Sequence, residues 1–471
     1  MESIAAQTLI EHQHPKAQAK VVFLPEVIDK LIVEEVESLT KADNKFWSSP
    51  EHDRSAYLHC FFQYPAMMVP IVQRRLIEII LKYNPSINNV IDPYMGSGTS
   101  LVTCMENGLN CFGQDINPLA FLVTNTRTGP YQISAIKNRK GELFESIIKD
   151  QLNNIEVDFK GRDKWFKPEV SIELSKIVRA IRKEKNKIIR KFYWVILAEV
   201  VRLTSNDRTS TFKLHQRPIQ EIANRNISPI QVFQEHFTDC FEDLIWHCDL
   251  LTKSNKLSRN KYPADVNLHL LDSKTKIWAP TNEGGFYDLL VTSPPYGDNK
   301  TTVTYGQHSY LQLQWIDLED IDECATPDFL KSTSEIDSRG LGGRLKNIGD
   351  EDLEILFLSS PSFKRLYEKL QATAPDMVKK VVSFIHDLYL SLVNIHTSLK
   401  PNAYQIWTIG NRNVGGIEVK NNKILEELIT NQGSVLVTSI KREILNKRMA
   451  KRNKDASLMN YEDILIFRKI A

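Results

Sequence analysis

Apolar positions along this chain fall into two patterns. Short unbroken runs that end in an acid or a hydroxyl predict buried strands, and longer stretches with apolar residues at helical spacing predict amphipathic helices. Val90-Ile91 runs into Asp92-Pro93, passes Gly96 and Gly98, and continues as a helix-compatible segment from Thr99 to Asn107. An amphipathic stretch, Ile71 to Lys82, precedes it, and Leu109 to Asp115 reads as a second strand ending in an acid. From about 130 to 262 strand signals stop, and helical periodicities take over at Glu169–Tyr193, Trp194–Leu203 and Ile230–Leu251. Strands resume at Val266–Asp272 and at Tyr287 onward, and a loop-like stretch covers 297–360. A helix from Ser362 to Leu399, broken near Pro375, leads to a strand at Ala403–Ile409. Asn422–Thr430 is then helical, with closing strands at Ser434–Ile440 and Ile464–Phe467. Buried strands alternating with helices predict an open, mostly parallel α/β sheet carrying a large helical insertion. The division expected is a segment without legible motif (1–50), a first half of the sheet (51–129), an insertion (130–262) and a second half (263–471).

The glycines set the candidate chemistry. A strand, a tight turn and a helix start is the layout of nucleotide-type cofactor sites, where free N–H groups at the helix start hold an anionic group. Gly96 and Gly98 allow close approach of the backbone. The spacing matches neither a dinucleotide G-x-G-x-x-G nor a phosphate-binding loop with Gly-Lys-Ser/Thr. Asp115, about 20 residues past the turn and followed by Ile116, is placed to accept from ribose hydroxyls. Asp272 ends the third strand and is a candidate for an adenine amine. A fourth strand runs straight into Ser293-Pro294-Pro295-Tyr296. Since ligands of open α/β sheets bind beyond the carboxyl ends of the strands, one crevice would collect Asp92, Asp115, Asp272 and Ser293.

Composition changes this picture little. The 471 residues are 42% hydrophobic and 25% charged, with no apolar run near the ~18 residues of a membrane span. The first residues lack the basic-then-apolar pattern of a secretory signal, so a cytoplasmic protein is expected. Cys60, Cys104, Cys111, Cys240, Cys248 and Cys324 form no C-x-x-C pair, which favours reduced thiols over a metal site. With a net charge of +2, any nucleic-acid contact must come from local basic patches. Two stand out: the helical run from Lys176 to Lys191, and the loop bearing Arg442, Lys447, Arg448, Lys451 and Arg452.

Asp92-Pro93-Tyr-Met-Gly96-Ser97-Gly98-Thr99, followed about 200 residues later by Ser293-Pro-Pro-Tyr296, resembles the site-specific DNA amino-methyltransferases, which use S-adenosylmethionine. The resemblance covers about 57–125 and 265–470 and implies a class I, Rossmann-like sheet of seven strands. It implies that Tyr64 and Pro65 line the methionine end of the cofactor, and that Pro93, Ser97 and Thr99 belong to the glycine box. Ser-Pro-Pro-Tyr is the form associated with N4 of cytosine, so the expected substrate is duplex DNA, with a cognate restriction endonuclease as possible companion. The chemistry suits that motif. The Ser293 hydroxyl and the Pro294 carbonyl can accept the amine hydrogens, Pro295 stiffens the loop, and Tyr296 offers a stacking face to a flipped base. Neither a metal nor a covalent nucleophile is called for, and no Pro-Cys dipeptide supports attack through cysteine. Alternatives are N6 of adenine, an RNA or protein amine as substrate, and a non-catalytic DNA-binding subunit. In many relatives the Pro-Pro motif precedes the glycine box; here it follows, so the target-recognition region cannot be placed by analogy. The insertion at 130–262 is the candidate for reading bases and the loop at 441–454 for phosphates.

Overall fold

The computed structural model describes residues 24–49, 58–281, 284–444 and 460–470. Seven strands form one sheet: β1 (Asn89–Asp92), β2 (Asn110–Asp115), β3 (Val266–Leu270), β4 (Tyr287–Thr292), β5 (Leu399–Ile409), and, past a small hairpin of β6 (Arg412–Val414) and β7 (Ile417–Val419), β8 (Ser434–Glu443) and β9 (Tyr461–Lys469). Their order is β3-β2-β1-β4-β5-β9-β8. β1 to β5 run parallel, and β9 is antiparallel to both β5 and β8. This is the seven-stranded, mostly parallel sheet expected of a class I methyltransferase fold.

Successive side chains along a strand point to opposite faces, so both faces of this sheet must be covered. Val90, Leu289, Val291, Ile406 and Ile466 belong to one core, and Ile91, Leu290, Trp407, Leu465 and Phe467 to the other. Helices Thr99–Glu106 and Lys187–Thr204 supply the first core; Pro361–Thr373, Pro375–Ser398 and Asn421–Asn431 supply the second. Chain order reverses at β1, which lies between β2 and β4, and that is where an α/β sheet opens a crevice at its carboxyl edge.

Two expectations need correction, and one segment gains an element. The basic helical region is two helices, Pro168–Lys183 and Lys187–Thr204, broken at 184–186 and not after Tyr193. The Asn186 side chain caps the second by accepting from Ile188 N at 3.0 Å. The stretch 297–360 is not a loop: helices Tyr305–Gln314 and Asp350–Ser359 occupy much of it. The segment before residue 50, which carried no legible motif, contains helix Pro25–Ala42, which packs through Ile28, Ile32 and Val36. Among the described residues no helix is long and apolar enough to cross a membrane.

Candidate active site

The glycine turn is held from three sides. Gly96 and Gly98 have φ of +50° and +81°, angles that L side chains rarely adopt. The Gly96 N–H donates to Asp115 Oδ2 at 3.0 Å, and the Thr124 hydroxyl donates to the Gly96 carbonyl at 2.8 Å. The buried Arg127 donates to the Ser97 carbonyl. Gly98 is the N-cap of helix Thr99–Glu106, so the first N–H groups of that helix receive no side-chain cap from it.

Asp92 does not face the cleft as expected. It is fully buried under the turn, where burial pushes its carboxyl up to about 6. It accepts from the Ser100 hydroxyl, from Tyr94 N at 3.0 Å and from Thr292 Oγ1 at 2.6 Å. Thr292 is the last residue of β4, directly before Ser293. Asp92 therefore ties the glycine turn to the Pro-Pro motif from below.

An open cleft of about 860 Å³ lies above that junction. The glycine-box side contributes Pro93, Gly96, Ser97 and Thr99, and the second strand contributes Asp115 and Ile116. Tyr64, Pro65, Asp272, Ser293 and Pro295 complete the lining. Gly98 and Pro294 sit behind these residues, outside the lining. One crevice thus unites most of the residues selected from sequence. Burial and the nearby Asp115 charge push the Tyr64 phenol well above its usual range. Burial also pushes the Asp115 carboxyl up to about 6, against the bonds it accepts from Gly96 N and Asn117 N. Asp272 is paired with Lys274 Nζ at 3.1 Å, and that amine also reaches the Arg339 carbonyl at 2.6 Å.

Tyr296 is not part of this wall. It borders a second, smaller and narrower cavity that shares Ala66, Met67, Met68 and Ser293 with the cleft. Its hydroxyl lies 3.3 Å from Ser293 Oγ and donates to Glu462 at 3.0 Å. Ser293 therefore stands between two cavities.

Several participants carried no sequence signal of their own. Asn117 donates to the Tyr64 hydroxyl at 3.1 Å and to Ser309 at 2.8 Å, and Tyr305 stacks on Tyr64 with centroids 5.7 Å apart. Tyr305, Asn299 and Leu341 bring the misread 297–360 region into the cleft. The Asn117-Pro118 pair at the start of helix Pro118–Thr128 was the available hint, being an N-cap followed by a helix-starting proline.

The basic candidates fare differently. Arg179 pairs with Asp150 at 2.7 Å, Arg182 with Asp317 at 2.7 Å and Arg190 with Asp320, so these cations are engaged within the protein. Arg442 is 8% exposed and bonded to Glu462, which corrects the expectation that it contacts phosphate. Lys447, Arg448, Lys451 and Arg452 lie outside the described residues.

No protein-family model matches the chain. Over 437 residues it is 30% identical to the type II methyltransferase M.MvaI of Kocuria varians, covering 90% of this chain and 92% of that relative. Over 412 residues it is 21% identical to the type II methyltransferase M.MjaII of Methanocaldococcus jannaschii, covering 68% and 75% of the two chains.

Proposed function

The chain belongs to the type II methyltransferases, and from that premise we propose that it transfers a methyl group from S-adenosylmethionine to the exocyclic N4 amine of cytosine in duplex DNA. It would do so as the modification partner of an endonuclease acting at the same site. The observation that carries this reading is the placing of Gly96 and Ser293 on the walls of one cleft.

The residues present fit such a donor. Gly96 lines the cleft with bare backbone at a φ of +50°, an angle that L side chains rarely adopt. Asp115 and Asp272 offer acceptors for ribose hydroxyls and an adenine amine, and Met67, Ile116 and Leu271 offer apolar wall between polar ends. When bound, S-adenosylmethionine supplies a methyl group on a positively charged sulfur.

The chain's own work is to prepare the amine. The nitrogen lone pair of cytosine N4 is delocalised into the ring, which makes it a poor nucleophile. Acceptance of an amine hydrogen by the Ser293 hydroxyl favours a pyramidal nitrogen and orients it, while the Pro294 carbonyl, the second acceptor expected from sequence, lines neither cavity. Pro294 and Pro295 stop the loop from relaxing. A base flipped out of the duplex, at a cost of a few kcal/mol, meets Ser293 where the open cleft and the narrow pocket beside Tyr296 adjoin. The insertion at 130–262 is the surface proposed to read the sequence, with the loop at 441–454 on phosphates.

Asp115 makes cofactor binding depend on pH. Its folded value, about 6, is above the unfolded one. Its protonation therefore adds stability to the empty protein that is complete below about pH 4 and is lost as pH rises through that folded value. Cofactor affinity runs the other way, because a protonated carboxyl accepts less well from two hydroxyls. Calorimetric affinity for S-adenosylmethionine should fall between about pH 7 and pH 5 in the wild type and change less in Asp115→Asn. A wild-type affinity constant over that range removes Asp115 from the ribose site.

The substrate is tested by offering labelled S-adenosylmethionine with duplex DNA, RNA and protein in turn, then digesting the DNA to nucleosides. Label in N4-methylcytosine is expected. Label in N6-methyladenine overturns the base assignment, and label only in RNA or protein overturns the substrate. DNA binding without transfer identifies a non-catalytic subunit.

A further inference from the structure

The Ser293 hydroxyl closes a hydrogen-bond chain that begins on the antiparallel end of the sheet. Arg442 on β8 and Glu462 on β9 are direct register partners. Arg442 donates to Glu462 Oε2 from Nε at 2.9 Å and Nη2 at 2.8 Å, and Glu462 Oε1 accepts from the Tyr296 hydroxyl at 3.0 Å. The Tyr296 oxygen lies 3.3 Å from Ser293 Oγ. The loop that carries Tyr296 is held in place by Asn421, which donates to the Tyr296 and Gly410 carbonyls at 2.8 Å each.

A carboxylate only accepts, and a phenol has a single proton. With that proton on Glu462, the Tyr296 oxygen can only accept from Ser293, and the Ser293 hydroxyl has a single proton too. Its lone pairs are then what remain for a ligand. We infer that Glu462, held by Arg442, is a positioning residue that acts through Tyr296 to keep Ser293 turned as an acceptor towards the target amine. This rests on the amino-methylation reading above and extends it to two residues that border the smaller cavity and act on Ser293 through Tyr296.

Direction matters here because the exocyclic amine brings two N–H donors and one weakly available lone pair. A serine proton pointed at that nitrogen would compete for the lone pair the methyl needs, whereas an accepting oxygen draws on the hydrogens and leaves it free. The relay is shielded: Arg442 and Glu462 side chains are 9% and 15% exposed. Burial and the Glu462 charge push the Tyr296 phenol well above its usual range, so it keeps its proton. The step between Tyr296 and Ser293 is the longest of the chain, so the decisive measurement is the coupling between its ends.

In Glu462→Gln an amide N–H can face the phenol oxygen, freeing the phenol to donate to Ser293 and reverse the chain. The test is single-turnover methyl transfer to unmodified genomic DNA, with cofactor affinity measured alongside. E462Q should transfer about 100-fold more slowly, with affinity for S-adenosylmethionine unchanged. Tyr296→Phe should lose a similar factor, and E462Q added to Y296F should cost nothing further, since both act through one hydroxyl. A wild-type rate in E462Q, or losses that multiply in the double variant, overturns the relay. Should E462Q fail to bind cofactor, Y296F, which deletes a single oxygen, decides alone: an unchanged rate there overturns it. If the wild-type protein places no methyl on a base amine, the amino-methylation reading itself falls and takes the relay with it. Full activity in both the wild type and E462Q sinks the relay only.

Discussion

Ser293→Ala should leave the protein folded and able to bind S-adenosylmethionine, yet slow methyl transfer by about 100- to 1,000-fold, the loss typical of removing one preorganised polar contact to the reacting group. Ser293 is the residue of the Pro-Pro motif that meets both cavities, so its hydroxyl is the group best placed to engage an amine entering beside Tyr296. Cofactor affinity should barely change, since the glycine turn is held by Asp115, Thr124 and Arg127 and not by Ser293. The measurement is single-turnover transfer beside calorimetric cofactor binding. A variant that transfers at the wild-type rate would place the amine elsewhere. One that loses cofactor binding and transfer together would make Ser293 a structural residue. The loss should exceed that of E462Q, which only redirects the hydroxyl that Ser293→Ala removes.

Gly98→Ala is the second change with a large expected effect, and it acts on stability as well as binding. A Cβ at this position would stand 2.6 Å from Thr124 Cγ2 and 2.9 Å from Thr124 Oγ1, on a backbone with φ of +81°. The left-handed angle costs an alanine about 1–3 kcal/mol, and overpacking costs about as much again. Denaturant unfolding should therefore register a loss of about 2–6 kcal/mol, and affinity for S-adenosylmethionine should fall with it. Thr124→Ser in the same chain removes Cγ2 while retaining a hydroxyl for the Gly96 carbonyl. It should recover part of the steric loss, since the contact with the hydroxyl oxygen stays, and none of the backbone part. Wild-type stability in Gly98→Ala would show that the turn tolerates a side chain, and no recovery with Thr124→Ser would clear Thr124 of the clash.

The two variants probe opposite ends of one construction. Asp92 bonds to Ser100 in the helix after the glycine turn and to Thr292 before Ser293, so the glycine turn and the Pro-Pro motif share a buried anchor. That anchor is why the residues of two motifs about 200 positions apart line one cleft.

Sequence was most informative where structure is local. The break in the 375 region appeared where Pro375 predicts it, because proline cannot continue a helix. The break at 184–186 was misplaced because Phe192 to Leu197 is apolar throughout, which blurs the helical period, while Asn186 as a cap was one polar residue among many. Helix Tyr305–Gln314 escaped notice because it is buried on most of its faces, so its pattern carries no amphipathic signal.

By itself the sequence determined the strand, turn and helix around Gly96, the strand that delivers Ser293, and the sheet to which both belong. Those features follow from runs of apolar residues and from glycines and prolines whose effects act over a few positions. Only the tertiary structure decided that Asp115 borders the cleft while Asp92 braces it, that Arg442 pairs with Glu462, and that Tyr296 borders the smaller cavity and not the cleft. The reason is that a charge or a hydroxyl takes its role from its partner. Here the partners are Thr292 for Asp92 and Glu462 for Tyr296, residues that only folding brings within reach.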